Sequence, residues 1–468
     1  MHPSRAHASL GPDFFDIVEP ATFPTHILRY RNQNWAARVG LASLTDAEWI
    51  GHFGRFLPLP GSFERPLALR YHGHQFRQYN PDLGDGRGFL FAQLHDLLDN
   101  RLLDLGTKGS GTTPWSRTAD GRLTLKGGVR EVLATTMLEA LGVYTSKTFS
   151  LIETGEDLVR GDEPSPTRSA VLVRLSHSHI RIGSFQRLAY LQNTDALRRL
   201  VAHSIAFAIP DAARGNDADQ ATAFLESVCR RVAHMGAQWM VAGFVHGVLN
   251  TDNINITGES FDYGPWRFLP TYDPGFTAAY FDHSGLYAYG RQPDTLLWNL
   301  VRLAECLLPL APQPALEAAL AIFVPTFRDA LAAGVIRRLG LLSRGRAEDA
   351  ALSESFWAHL AETNAPFEQT AFDTYGGFPR ANPAPGAFAT LLAPYQPADP
   401  ARFAHPYFAR QTPCTMLIED VEALWAPISQ SDDWSAFHAK LADIAAMADA
   451  YGTSTQPIPV NSLPMNAP

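Results

Sequence analysis

Oxygen and amide side chains crowd into one short stretch, His246-Gly247-Val248-Leu249-Asn250-Thr251-Asp252-Asn253, followed by Asp262-Tyr263-Gly264. Magnesium takes oxygen donors and usually bridges one or two side chains to substrate phosphates, so Asn253 and Asp262 form a candidate pair for Mg2+ or Mn2+. Asp252 stands beside them as a further carboxylate. Upstream, Leu83-Gly84-Asp85-Gly86-Arg87-Gly88 sets three alternating glycines before an apolar run. Glycine lets backbone amides approach phosphate oxygens, and Arg87 adds a fixed positive charge. Alone, that run reads as a hairpin turn. Lys108 closes the segment Leu103-Asp104-Leu105-Gly106-Thr107-Lys108, from which it could reach a phosphate. Glu131 could hold Lys108 extended; by itself it reads equally as a solvated first-turn glutamate favoured by the helix dipole. Arg174 and Arg181 flank a short turn and could clamp a polyphosphate with their planar forks. Their competing reading is a set of exposed surface ion pairs. His72 and His74 alternate along an extended segment and would share a face, but no third metal ligand accompanies them.

Positioning these groups calls for strands first and helices afterwards. Ala170–Leu175 is β-like, and residues 254–256 read as a strand between Asn253 and Asp262. Val129, Val132, Leu133, Met137, Ala140 and Leu141 recur at helical spacing, with Arg130 and Glu131 near the helix start. Phe224, Leu225, Val228, Val232, Met235, Trp239 and Met240 define a long amphipathic helix ending near Gly243, which delivers His246 to the site. Further helices are expected after Asp294, from Pro314 to about Arg338, and from Trp434 to Tyr451. Proline and glycine concentrate between Tyr375 and Pro400, suggesting extended packing or a linker. The expected organisation is a lobe at 1–190, a helical lobe at 191–451 carrying the metal loop, and a disordered tail at 452–468.

With 468 residues, 46% of them hydrophobic, the chain can bury sizeable cores. A formal charge of -9 argues against general nucleic-acid or anionic-membrane affinity, so any anion site must be focused. Cys229, Cys306 and Cys414 fit no zinc or disulfide framework and favour a reducing compartment. No stretch reads as a membrane span of about 20 apolar residues, and the expected location is cytoplasmic.

The run from His246 to Asn253 with Asp262-Tyr263-Gly264 beyond resembles the catalytic segment of the protein kinase superfamily, in which a strand lysine pairs with a helix glutamate. The kinase base position is taken here by Val248, which cannot accept a proton. Taken together, YHGHQF, LGDGRG, the Lys108 turn, DGR, VREVL, HIRIG, HGVLNTDN, DYGP and RQP, spanning Tyr71 to Pro293, resemble the selenoprotein O family. The resemblance implies an α+β, protein kinase-like bilobal fold with a β-rich first lobe and a mainly helical second. It also implies a protein adenylyltransferase that binds ATP in a flipped orientation and moves AMP to Ser, Thr or Tyr hydroxyls of proteins, its own among them, with UTP use open. On matching positions, Gly84, Gly86, Arg87, Lys108, Asp120, Gly121, Arg174, Arg181 and Asp262 would contact nucleotide. Glu131 would position Lys108, Asn253 and Asp262 would bind metal, and Asp252 would accept the hydroxyl proton. Arg77-Gln78 and Gly127-Gly128 depart from the family pattern. The alternatives are kinase-type phosphoryl transfer to a protein or small molecule, and a noncatalytic nucleotide-binding pseudokinase scaffold.

Overall fold

The computed structural model describes residues 1–161, 163–377 and 386–453. The expected disordered tail from residue 454 onward, and part of the Pro- and Gly-rich stretch, lie outside the described residues. The first part of the chain builds one antiparallel sheet from β1 (Phe15–Ile17), β2 (Ile27–Arg31), β3 (Leu67–Leu69), β4 (Leu90–His95), β5 (Leu102–Lys108), β6 (Lys147–Leu158) and β7 (Thr167–Ser176). Their order is β1-β3-β4-β5-β7-β6-β2, and two-residue strands at Pro3–Ser4 and Leu123–Thr124 join β4 and β7.

Side chains alternate across a strand, and β7 uses both faces. Val171, Val173 and Leu175 pack with Trp49 and Phe53 of helix α1 (Asp46–Phe53), while Ala170 and Leu172 join Leu125, Val129 and Val132 of helix α2 (Leu125–Ala140). Both faces being covered, β5 is buried at every position, its Asp104 and Lys108 included. Helix α2 starts earlier than its apolar stripe suggests, because the Thr124 side chain caps it by accepting the Gly127 N–H. Glu131 therefore sits in the second turn and is buried, which removes the reading of a solvated first-turn glutamate.

The second part is helical. Helix α3 (Ile182–Tyr190) leads from the sheet, and α4 (Asp217–Val241) buries Phe224, Leu225, Val228, Val232, Met235 and Trp239 as its spacing predicts. Around α4 pack α5 (Gln292–Leu307), α6 (Gln313–Ala321) and α7 (Phe323–Arg338). The helical region expected from Pro314 to about Arg338 consists of these last two helices, which meet at Ile322. Against the sequence expectation, Gln313–Arg338 is long enough, and apolar enough over an 18-residue window, to cross a membrane by length and composition alone. Here its Leu316, Ala319, Phe323, Val335 and Ile336 are buried in the core of the helical half. Residues 254–256 form no strand; a single bridge joins Asn255 to Arg181. The last expected helix is α8 (Ser435–Tyr451).

A small hairpin, Gly73–Gln75 with Gln78–Asn80, leaves the sheet region and lies against α3. Gly183 is where they touch: a Cβ there would stand 2.1 Å from the His72 carbonyl oxygen. Gly183→Ala should therefore cost about 1–3 kcal/mol through overpacking. Urea unfolding measures it, and wild-type stability would mean that the hairpin and helix shift apart freely.

Candidate functional site

In the sheet, Lys108 of β5 lies opposite Leu172 of β7, and Arg174 lies opposite Gly106. Opposed residues share a face, as do residues two apart, so Lys108 and Arg174 emerge together on the face that α2 covers. Glu131 of α2 meets both: Lys108 Nζ donates to its Oε2 at 2.7 Å, and Arg174 Nε lies 3.2 Å from its Oε1. Asp262 closes the group, its Oδ1 accepting from Lys108 Nζ and Arg174 Nη2 at 3.1 Å each. Charges leave water only when paired, and here two cations face two carboxylates. Burial alone would raise the Asp262 carboxyl, but Lys108, Arg174, Arg87 and Arg181 outweigh it and hold the group well below the usual carboxylate range. Its backbone is left-handed, at φ 63°, a conformation that costs a non-glycine residue energy and persists only where surroundings impose it.

Arg181 is the N-cap of α3 and lies above the Tyr71 ring at 4.2 Å, near Phe261 at 5.3 Å and 3.5 Å from Asp85 Oδ1. Arg174 and Arg181 are 6% and 5% exposed, so the surface-pair reading fails for both. Arg87, Lys108, Arg174 and Arg181 line one narrow cleft of about 90 Å³ together with Gly86, Asp85 and Asp262. Four cations against two lining carboxylates give this acidic protein a focused anion site, suited to phosphate.

Asp252 is not part of the cleft lining, but its charge interacts with that of Arg181. It is buried, its Oδ1 has no hydrogen-bond partner, and a Cβ on Gly73 would stand 2.9 Å from that oxygen. Burial pushes this carboxyl up to about 7; Arg181 opposes the rise and Asp262 adds to it. A closed ring of hydrogen bonds fixes the turn that carries it. The His74 N–H donates to Thr251 Oγ1 at 2.7 Å, Thr251 Oγ1 donates to Gln186 Oε1 at 2.6 Å, and Gln186 Nε2 meets His74 Nδ1 at 2.7 Å. Hairpin, α3 and the Thr251–Asn253 turn are thereby pinned to one another. His72 Nδ1 is engaged with the Tyr79 hydroxyl at 2.7 Å, so both histidines serve packing. His246 is buried, with Nε2 2.9 Å from the Phe261 carbonyl, and it braces the segment leading to Asp262.

The remaining expected residues are spread more widely. Gly84 lies under Trp115, whose Cγ a Cβ would meet at 2.4 Å, rather than in the cleft lining. Asp120 and Gly121 line a neighbouring cavity of about 380 Å³, which Arg87 shares with the cleft, and Asp120 is paired with Arg160 at 2.9 Å. Asn253 Nδ2 donates to the Val248 carbonyl at 3.0 Å, which leaves the amide oxygen free to accept. That oxygen and an ionised Asp262 are hard donors, few in number, which fits a divalent cation completed by substrate phosphates. Among the described residues no group of three or more His, Cys, Asp or Glu could hold a metal by itself. Sequence reasoning missed Asp85, Thr251 and Gln186. The first two lie inside the motifs singled out, whereas Gln186 gives no local signal.

A family model described as protein adenylyltransferase SelO matches residues 2–375. The protein nucleotidyltransferase YdiU of Gloeobacter violaceus is 45% identical over 455 residues, covering 92% of each chain. That of Synechocystis sp. is 51% identical over 339 residues, 72% of this chain and 70% of the relative. That of Methylorubrum extorquens is 43% identical over 375 residues, 78% and 73%. An anion cleft in a chain with these relatives defines an enzyme of the nucleotidyltransferase class. The chain belongs to the SelO family of protein adenylyltransferases.

The raised Asp252 carboxyl has a consequence for stability. Its proton is bound more tightly in the folded than in the unfolded chain, so its contribution is complete below about pH 4 and is lost as pH rises through about 7. Asp252→Asn should be more stable than wild type at pH 8 by an amount on the order of a few kcal/mol, with the difference vanishing near pH 4. Melting temperatures of the two proteins across that range would expose a flat difference, the result that excludes a raised carboxyl.

Proposed function

We propose that this enzyme transfers AMP from ATP to Ser, Thr or Tyr hydroxyls of proteins, itself among them, releasing pyrophosphate. The observation that carries it is a buried carboxyl near neutrality, Asp252, whose charge interacts with Arg181, a residue that lines the cationic cleft. In this reading the fold is protein kinase-like and bilobal, with lobes at 1–190 and 191–451, and the enzyme works in the cytoplasm. Lys108, Arg174 and Arg181 hold the β- and γ-phosphates, and Glu131 fixes Lys108 and Arg174 from behind. Gly86 and Arg87 complete that grip, with Asp120 and Gly121 at the nucleotide's outer end. The α-phosphate then faces the acceptor.

Transfer runs in one displacement. The acceptor hydroxyl oxygen bonds to the α-phosphorus, its proton passes to the Asp252 carboxylate, and the bond from the α-phosphorus to the bridging oxygen breaks. Pyrophosphate leaves carrying the electron pair, and the cleft cations stabilise the developing charge, the kind of preorganised electrostatics that dominates such catalysis. A base with a pKa near the working pH is both sufficiently ionised and sufficiently strong. Val248, apolar at the kinase base position, offers a γ-phosphate acceptor no such partner. Asn253 and Asp262 would hold Mg2+ or Mn2+, which when bound adds positive charge against the phosphates. The same grip on the phosphates admits UTP as an alternative donor.

ATP labelled at the α or the γ position separates the readings. Label is expected in the enzyme and in added protein substrates from the α position alone; label from the γ position alone would establish phosphoryl transfer instead, and tight ATP binding without either would establish a scaffold. Asp252→Asn should lower kcat by about 10²–10⁴-fold and remove an acidic limb near pH 7. Arg174→Ala should weaken nucleotide binding by about 1.5–3 kcal/mol in calorimetry, and unchanged affinity would take this arginine out of the phosphate grip.

A further inference from the structure

Away from the cleft, a larger cavity of about 590 Å³ opens between the sheet and the helical half. That size lies within the range of about 300–1,000 Å³ common for small-molecule sites. Arg38, Arg101 and Lys147 reach it from the sheet side, Arg337 from the last turn of α7, and Glu259 from the segment that leads to Asp262. Most of these charges are already answered. Arg38 pairs with Asp96, Arg101 with Asp99 at 2.7 Å, and Lys147 with Glu139 at 3.1 Å.

Arg337 is the exception: it lines the cavity, its side chain reaches solvent although the protein packed around it lowers its pKa, and among the described residues no carboxylate pairs with it. Two carboxylates share the wall: Glu139 is neutralised by Lys147, and Glu259 accepts the His177 N–H at 2.7 Å while burial pushes its carboxyl up to about 7, so that it carries only part of its charge near neutrality. The Tyr144 hydroxyl, which accepts from Arg101 at 3.2 Å, adds a neutral polar group to the same wall. Donors thus approach from both halves of the protein. A tetrahedral oxyanion accepts from several directions at once, whereas a carboxylate accepts in one plane, and guanidinium forks match the oxyanion well.

We propose that this cavity is a second anion site that takes a small phosphorylated molecule, with Arg337 as its principal ligand and Arg101 and Lys147 as flanking donors. It is separate from the cleft and independent of which phosphate the cleft transfers. The site touches the reaction centre through the chain: Glu259 in its wall lies three residues before Asp262, and Ser260 between them is held by Tyr144 O and Ser146 N at 2.9 and 2.8 Å.

Titration calorimetry of the full chain with inorganic pyrophosphate tests it. Wild type should show two binding events. Arg337→Glu should weaken one of them at least tenfold, and Arg174→Ala should weaken the other. Arg337→Gln, which keeps the size and polarity of the side chain, should behave as Arg337→Glu does with an unchanged melting temperature, so that misfolding is not mistaken for lost binding. AMP titrated in parallel distinguishes the source: tighter binding than pyrophosphate at the Arg337-dependent site assigns it to a nucleotide, and weaker binding to a simple phosphate ester or pyrophosphate. A single event, lost in Arg174→Ala and untouched by both Arg337 variants, overturns the proposal.

Discussion

Two buried cations and two carboxylates, Lys108 and Arg174 with Glu131 and Asp262, tie the sheet, helix α2 and the second half of the chain into one unit. No member could be buried alone, since an unpaired charge in such surroundings is costly by several kcal/mol. Removing one partner strands the rest. The arrangement is asymmetric in a useful way: Glu131 is sealed inside, whereas Asp262 retains access to solvent. Glu131 therefore fixes geometry, and Asp262 is the member free to exchange its partners for an incoming ligand.

The same environment drives two nearby carboxyls in opposite directions. Asp262 is surrounded by four cations and stays ionised, while Asp252 is buried with one unpartnered oxygen and rises to about 7. Pairs of titratable groups pushed apart in this way commonly divide labour, one holding charge and the other moving a proton. What maintains the difference is local packing. Gly73 presses against Asp252 where any side chain would collide, and the ring through His74, Thr251 and Gln186 ties the turn to the hairpin and α3.

Much of this was legible because strand and helix periodicity act locally. The alternation of Ala170–Leu175 puts Arg174 on the face of Leu172, and the α4 stripe puts its apolar residues inward, as found. The start of α2 was misjudged because Thr124 capping, not the apolar stripe, sets it. Residues 254–256 alternate like a strand but have only one bridging partner, so pairing rather than pattern decided their state. Asp85 and Gln186 escaped because their roles depend on what folds against them: Arg181 for one, and a turn 65 residues later in sequence for the other.

The backbone of Asp262 is left-handed. In water a non-glycine residue would relax to a more favourable conformation, so the φ of 63° must be imposed from both sides. On one side Lys108 and Arg174 draw the carboxylate in. On the other, Ser260 is bonded through its backbone to Tyr144 and Ser146, and through its hydroxyl to Trp239 Nε1 at 2.9 Å and to the Tyr263 hydroxyl at 2.7 Å. The segment thus has little freedom except at its carboxylate end. A strained residue held between a rigid anchor and two buried cations is the point at which phosphates competing for those cations, as the proposed reaction requires, would be felt by the rest of the chain.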